Sequence, residues 1–260
     1  IWDVVSGDEL VRFDGHEGFV YGLDVATDGS TFVTGGQDGV VHVWDAEGDD
    51  RKSLTGHSKA VTDVALSPDA NTIASVSADR TVVLWSVESG EVLRRIEGLK
   101  GVTFSLLFSP DGERLVIGGS DLRILDAETG QIVYRMEGFG AMITALAVSP
   151  DGATFAVGLA DRSIRLIDAA EGVETRALYG HGGRVTALAF APDGAVLASA
   201  SNNERGPRLW SVAPADIGAP LRRYEGHERD VMSLAFSPDG KVLAAGSMDG
   251  AILLWGVDSR

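Results

Sequence analysis

Four of the five histidines stand directly after a glycine, as Gly15-His16, Gly56-His57, Gly180-His181 and Gly226-His227. Hydroxyl and carboxylate residues such as Ser75 and Asp79 follow His57 within the same stretch. A histidine, a hydroxyl and a carboxylate are the parts of a nucleophilic triad, in which the imidazole takes the hydroxyl proton and the acid orients the ring. The recurrence argues against that chemistry. A nucleophile repeated inside separate structural units has no common substrate, so no catalytic residue is expected among them. The fifth histidine, His42, shares a column with Val83, Arg123, Arg165, Arg208 and Leu253. No further ligand stands at metal spacing beside it, so it reads as a surface-facing strand residue, and neither a metal nor a cofactor is expected.

The element that positions these residues is the stretch Gly56 to Ser86, GHSKAVTDVALSPDANTIASVSADRTVVLWS. Short apolar runs in it are divided by turn chemistry: Pro68 fixes one φ, and Asp69 can bond its own backbone around the bend. The pattern reads as three short strands. Shifted copies fill the chain. The Gly-His slot continues as Gly98-Leu99 and Gly138-Phe139, and an aspartate follows the second residue of each pair by 12 positions, at Asp28, Asp69, Asp111, Asp151, Asp193 and Asp239. A closing column holds Trp2, Trp44, Trp85, Leu125, Ile167, Trp210 and Trp255 at steps of 40 to 45 residues, which uses all five tryptophans. The Ser-Pro-Asp-Gly acids at 109–112, 149–152 and 237–240 are turn formers, since they lack the spaced Asp-x-Asp-x-Asp-Gly of a calcium loop.

Units of this length with Gly-His early and Trp-Asp late (Trp2-Asp3, Trp44-Asp45) resemble the WD-repeat family of β-propellers over essentially the whole chain. The resemblance implies an all-β fold of four-stranded antiparallel blades in one domain, 1–260. It also implies buried tetrads in which histidine, hydroxyl, acid and indole are linked by hydrogen bonds. By position these are His16, Thr34, Asp38 and Trp44; His57, Ser75, Asp79 and Trp85; and His181, Ser199, Asn203 and Trp210. The last copy offers His227, Asp249 and Trp255 but has Ala245 in the hydroxyl slot. The third and fourth copies carry apolar residues for histidine and tryptophan, and the third has a hairpin two residues shorter. Those blades are expected to survive without the polar bonds.

The family forms one rim from residues at the start of the first strand and from the residue before the tetrad acid. Carried over, this gives Phe19, Tyr21, Gln37, Val102, Phe104, Met142, Arg184, Met232 and Met248, an apolar, Met-bearing set suited to docking a protein or peptide. The expected function is a non-catalytic protein-interaction scaffold. The alternative is a propeller enzyme or ligand sensor using the central channel, for which Asp24 and Asp63 stand at unrelated positions.

A formal charge of −16 argues against a nucleic-acid partner, and an apolar content of 44% supports a packed interior. No apolar run approaches a membrane helix, so no membrane partner is expected. There are no cysteines. A cytoplasmic location is the expectation, with an extracytoplasmic one as alternative, and the Ala, Gly and Val enrichment has a bacterial character. Because Trp2 matches its column, Ile1 to Phe13 reads as the outer half of a seventh blade in a fragment of a longer chain, other domains of which are possible partners. The alternative is a six-bladed ring in which Glu9 to Phe13 pairs with Ala251 to Trp255.

Overall fold

The computed structural model describes residues 1–99, 101–213 and 215–257. Among them, 23 strands form six antiparallel sheets. Sheet 1 is β1 (Val20–Val25), β2 (Thr31–Gly36), β3 (Val40–Asp45) and β4 (Asp50–Thr55). Sheet 2 is β5 (Val61–Leu66), β6 (Thr72–Ser77), β7 (Val82–Ser86) and β8 (Val92–Ile96), and sheet 3 is β9 (Ser105–Phe108), β10 (Arg114–Gly118), β11 (Leu122–Asp126) and β12 (Ile132–Met136). Sheet 4 is β13 (Ile143–Val148), β14 (Thr154–Leu159), β15 (Ile164–Asp168) and β16 (Glu174–Leu178). Sheet 5 is β17 (Val185–Phe190), β18 (Val196–Ser201), β19 (Arg208–Ser211) and β20 (Pro220–Arg223), and sheet 6 is β21 (Val231–Phe236), β22 (Val242–Ser247) and β23 (Ile252–Gly256). No helix among the described residues is long and apolar enough to cross a membrane.

The chain divides into two compact units, 1–117 with 124–133, and 118–123 with 134–260. Within the first, Val33, Val41 and Val43 of sheet 1 meet Val61, Val64, Ile73 and Val83 of sheet 2 in one apolar cluster. The other face of sheet 2 buries Ala74, Val76, Val82 and Leu84 with Leu106, Leu115 and Ile117. Within the second, Ala156, Ile164 and Leu166 pack with Val185 and Leu197. Side chains of both faces are therefore removed from water, which for a Val, Leu or Ile stabilises by about 1.5–3 kcal/mol each and explains why inner strands read as near-continuous apolar runs.

The hairpin after each first strand is set by the turn aspartate. Asp69, Asp111, Asp151 and Asp239 accept the hydroxyl of Ser67, Ser109, Ser149 and Ser237 and the N–H two residues on. Those donors hold all four carboxyls below the usual carboxylate range. The residue after the acid turns left-handed, with φ of 76°, 73° and 71° at Gly112, Gly152 and Gly240.

The expected seventh blade does not form. Residues 1–13 contribute only an isolated antiparallel bridge, Trp2 to Glu9, and Trp2 is 52% exposed where Trp44 and Trp85 are 1% and 2%. Without inner strands beside it, a two-residue ladder has nothing to cover its indole. Six sheets match the alternative count, but Glu9 to Phe13 form no strand, and sheet 6 has three strands. Phe13 packs instead on sheet 1, stacked 5.3 Å from Trp44 and tilted 5.3 Å from Phe32.

Candidate functional site

In sheet 2, β6 carries Ser75, the β6–β7 turn carries Asp79, and the segment before β5 lays His57 over both. His57 Nδ1 lies 3.0 Å from Asp79 Oδ2 and Nε2 lies 2.8 Å from Ser75 Oγ, which also accepts the Trp85 Nε1–H at 2.8 Å. The Asp79 carboxylate only accepts, so the ring donates to it from Nδ1, and the bare Nε2 accepts the Ser75 hydroxyl proton while the Ser75 oxygen accepts from the indole. Desolvation lowers the His57 pKa, in keeping with a neutral ring. Burial pushes Asp79 up, but the Ser58 N–H, the Thr81 hydroxyl and His57 outweigh it and hold the acid at about 2. Imidazole, hydroxyl, carboxylate and indole are thus all engaged with one another inside the sheet.

Sheet 1 repeats this, with His16 2.9 Å from Asp38 and 2.7 Å from Thr34, and Trp44 donating to Thr34 at 2.8 Å. Sheet 5 departs from the expected set. His181 and Trp210 meet Ser199 at 2.6 and 2.7 Å, but the acid facing His181 Nδ1 at 2.7 Å is Glu204, not Asn203. Asn203 is exposed, with φ of 64°. The lengthened turn Asn202 to Pro207 moves the acid one residue on, and the longer glutamate regains the reach. Glu204 also takes Arg208 at 2.6 Å. In sheet 6, His227 reaches Asp249 at 3.0 Å, while its buried Nε2 has no partner among the described residues, Ala245 offering none.

Sheets 3 and 4 have no imidazole here. Leu99 and Leu125 are buried at 6% and 1%. The hairpin acid of the third sheet, Asp121, takes Arg123 at 3.1 Å and a second guanidinium from Arg135. In the fourth, Ile167 is buried and Asp161 accepts the Ser163 hydroxyl at 2.6 Å.

The WD domain, G-beta repeat profile matches residues 7–45, 48–86, 130–168, 172–210 and 218–256. The chain belongs to the WD-repeat family of β-propellers. The longest unmatched interval, 87–129, holds most of sheet 3, where histidine and tryptophan are both replaced. The U5 small nuclear ribonucleoprotein 40 kDa protein of Dictyostelium discoideum is 27% identical over 116 residues, 44% of this chain and 33% of that protein. Cilia- and flagella-associated protein 52 of Bos taurus is 41% identical over 86 residues, 32% of this chain and 14% of that protein. A guanine nucleotide-binding protein subunit beta-like protein of Encephalitozoon cuniculi is 30% identical over 132 residues, 46% of this chain and 39% of that protein. The WD-repeat chain thus spans well under two thirds of the curated relatives it matches.

The rim positions of this WD-repeat chain meet in pairs. Gln37 N–H donates to Phe19 O at 2.8 Å, and the same bond joins Ala160 to Met142, Asn202 to Arg184 and Met248 to Asp230. Gln37 Oε1 accepts the Phe19 N–H at 3.2 Å and packs against Gly18, whose φ of 102° favours glycine. Phe19 and Tyr21 are 70% and 52% exposed with ring centroids 6.3 Å apart, and Val102 and Phe104 are also exposed. In the second unit Arg184, Met232 and Met248 are exposed and Met142 is half-buried.

Two features were beyond the sequence reading. A β-bulge falls at the same place in five sheets, skipping Tyr21, Thr62, Thr144, Thr186 and Met232 in the ladder. A bulge re-aims the skipped side chain. The threonines use this to donate to the next sheet: Thr62 to Thr103 O at 2.7 Å, Thr144 and Thr186 to Val185 O and Val231 O at 2.6 Å. Threonine alternating with aromatic and Met in this column was the available signal. Asp24 and Asp63 also bridge sheets, accepting the N–H of Leu66 at 2.7 Å and of Leu106 at 2.9 Å. Burial, with Asp24 beside it adding repulsion, pushes Asp63 up to about 7. A perturbed acid is a candidate catalyst, but both oxygens of each are held by backbone N–H groups.

His42 is not surface-facing. It is 5% exposed, and it offers a ligand atom that lies with those of His16 and Asp38 within 4.8 Å of one another. The partners come from the Gly-His slot and the β2–β3 hairpin, which no local spacing rule about β3 could reveal.

Proposed function

We propose that this WD-repeat chain is a non-catalytic scaffold that presents Phe19, Tyr21, Val102 and Phe104 to a protein or peptide partner, with Arg184, Met232 and Met248 forming a further contact set. The observation carrying this reading is the exposed Phe19/Tyr21 pair, held by two hydrogen bonds between Phe19 and Gln37. Aromatic rings kept in water on a rigid strand cost solvation and gain it back on burial by a partner. The charge of −16 supports a protein over a nucleic acid. The names of the relatives, among them the Drosophila protein groucho at 25% identity over 108 residues, support interaction scaffolds generally. The test is photo-crosslinking in cells from position 19, with and without Tyr21→Ala and Phe104→Ala. The double variant should keep its unfolding midpoint and lose the crosslinked protein; recovery of the same proteins by both chains would reject the rim.

A further inference from the structure

Sheet 1 differs from the other five sheets in one column. Where Val83, Arg123, Arg165, Arg208 and Leu253 stand on the third strands, β3 carries His42. Its ring meets the tetrad imidazole edge-on, His16 and His42 centroids being 4.5 Å apart at 80°, and stacks on Trp44 at 5.1 Å. Ser53 Oγ lies 3.2 Å from His42 Nδ1 and orients the ring. Asp38 faces His16 Nδ1 at 2.9 Å.

We propose that His16, His42 and Asp38 form a binding site for a divalent transition-metal ion of the zinc type. Two imidazoles and one carboxylate with a fourth place for water are a zinc donor set, and the imidazoles disfavour calcium and magnesium. The three ligand atoms already lie within 4.8 Å of one another, so closing to metal–ligand bonds of about 2.0–2.2 Å takes only small side-chain shifts. The proton balance is simple. In the metal-free chain the His16 Nδ1 proton bridges ring and carboxylate; on binding, the ring's proton is carried on Nε2 instead, the Nδ1 lone pair takes the ion, and the ligand stays a neutral imidazole. The Nε2–H then donates to the Thr34 oxygen, which accepts from Trp44 as well and turns its own proton away, so the sheet keeps its polar network. Ser53 then acts as the outer hydrogen-bond partner of a ligating histidine. Valine in the same column of sheet 2 shows that the fold has no need of a histidine there.

The test titrates the whole chain with Co²⁺, read by its visible d–d absorption, and with Zn²⁺, read by thermal unfolding, for wild type and His42→Val. Wild type should show a tetrahedral Co²⁺ spectrum saturating at one equivalent. Its melting temperature should rise by roughly 5–10 °C when free Zn²⁺ exceeds the dissociation constant a hundredfold, and Mg²⁺ should leave it unchanged. His42→Val should show neither response. Equal responses in His42→Val, an equal effect of Mg²⁺, or no response in wild type would overturn the site. Should the variant fail to fold, ¹⁵N shifts of the wild-type imidazoles decide: those of His16 and His42 move together on adding Zn²⁺ if the site exists, and not otherwise.

Discussion

Sheets 2 and 3 hold the same four-strand design with different chemistry. In sheet 2 the hairpin acid Asp79 is bonded to an imidazole, and the bonds run on through Ser75 to Trp85. In sheet 3 the matching acid, Asp121, is bonded by two guanidinium groups, while Leu99 and Leu125 fill the histidine and tryptophan slots with apolar volume. Sheet 5 has both, with His181 and Arg208 on Glu204. The constant requirement is a partner for the hairpin carboxylate, met by an imidazole, by guanidinium groups or, in sheet 4, by the Ser163 hydroxyl on Asp161.

The largest effect is expected at Asp121. Removing it as Asp121→Ala leaves Arg123, 6% exposed, without its counter-ion, and should cost about 3–5 kcal/mol in urea unfolding. Replacing Asp121 and Arg123 together with leucine should recover most of that loss. A double variant as unstable as the single one would mean that the ion pair is not what sheet 3 depends on.

Next in size is a pH effect at the contact between the two sheets, where Asp63 of β5 accepts from Leu106 of β9. Its folded pKa of about 7 lies above the ordinary 3.8, so the folded state holds the extra proton between those values. Its contribution is fully present below pH 3.8 and is lost as pH rises through 7, up to roughly 4 kcal/mol in all. Asp79 acts oppositely: its pKa of about 2 gives stability that disappears as pH falls below 3.8. Unfolding of wild type and Asp63→Asn across pH 4–8 separates them, since the variant should lose the decline toward pH 7. An unchanged decline would place its cause elsewhere.

The smallest effect is a gain. Ala245→Ser supplies the hydroxyl that the buried His227 Nε2 lacks, and should raise stability by about 1 kcal/mol, read as a shift in urea midpoint at constant m. A loss would show that sheet 6 has no room for the oxygen.

The strand pattern, the turn aspartates and the sheet 1 and 2 tetrads were legible because each is fixed by spacing within one repeat. What was illegible depends on contacts between repeats or on a changed count. Glu204 was missed because the insertion before Pro207 shifts the acid by one. The bulge at Thr62 and the caps made by Asp24 and Asp63 serve a neighbouring sheet, and His42 meets ligands brought in from outside β3. The arginine on Asp121 could have been read, since Arg123 stands two residues beyond the acid, as a same-face neighbour does on a strand. Trp2 misled, because a residue in register with a column is buried only when the strands around it are present.

Histidine, hydroxyl, acid and indole stabilise sheet 2 as one hydrogen-bonded unit. A double-mutant cycle in urea unfolding between Ser75→Ala and Trp85→Phe tests this most directly, because the two residues share one hydrogen bond at 2.8 Å. A coupling energy of about 1–2 kcal/mol is predicted; effects that add within about 0.5 kcal/mol would contradict it.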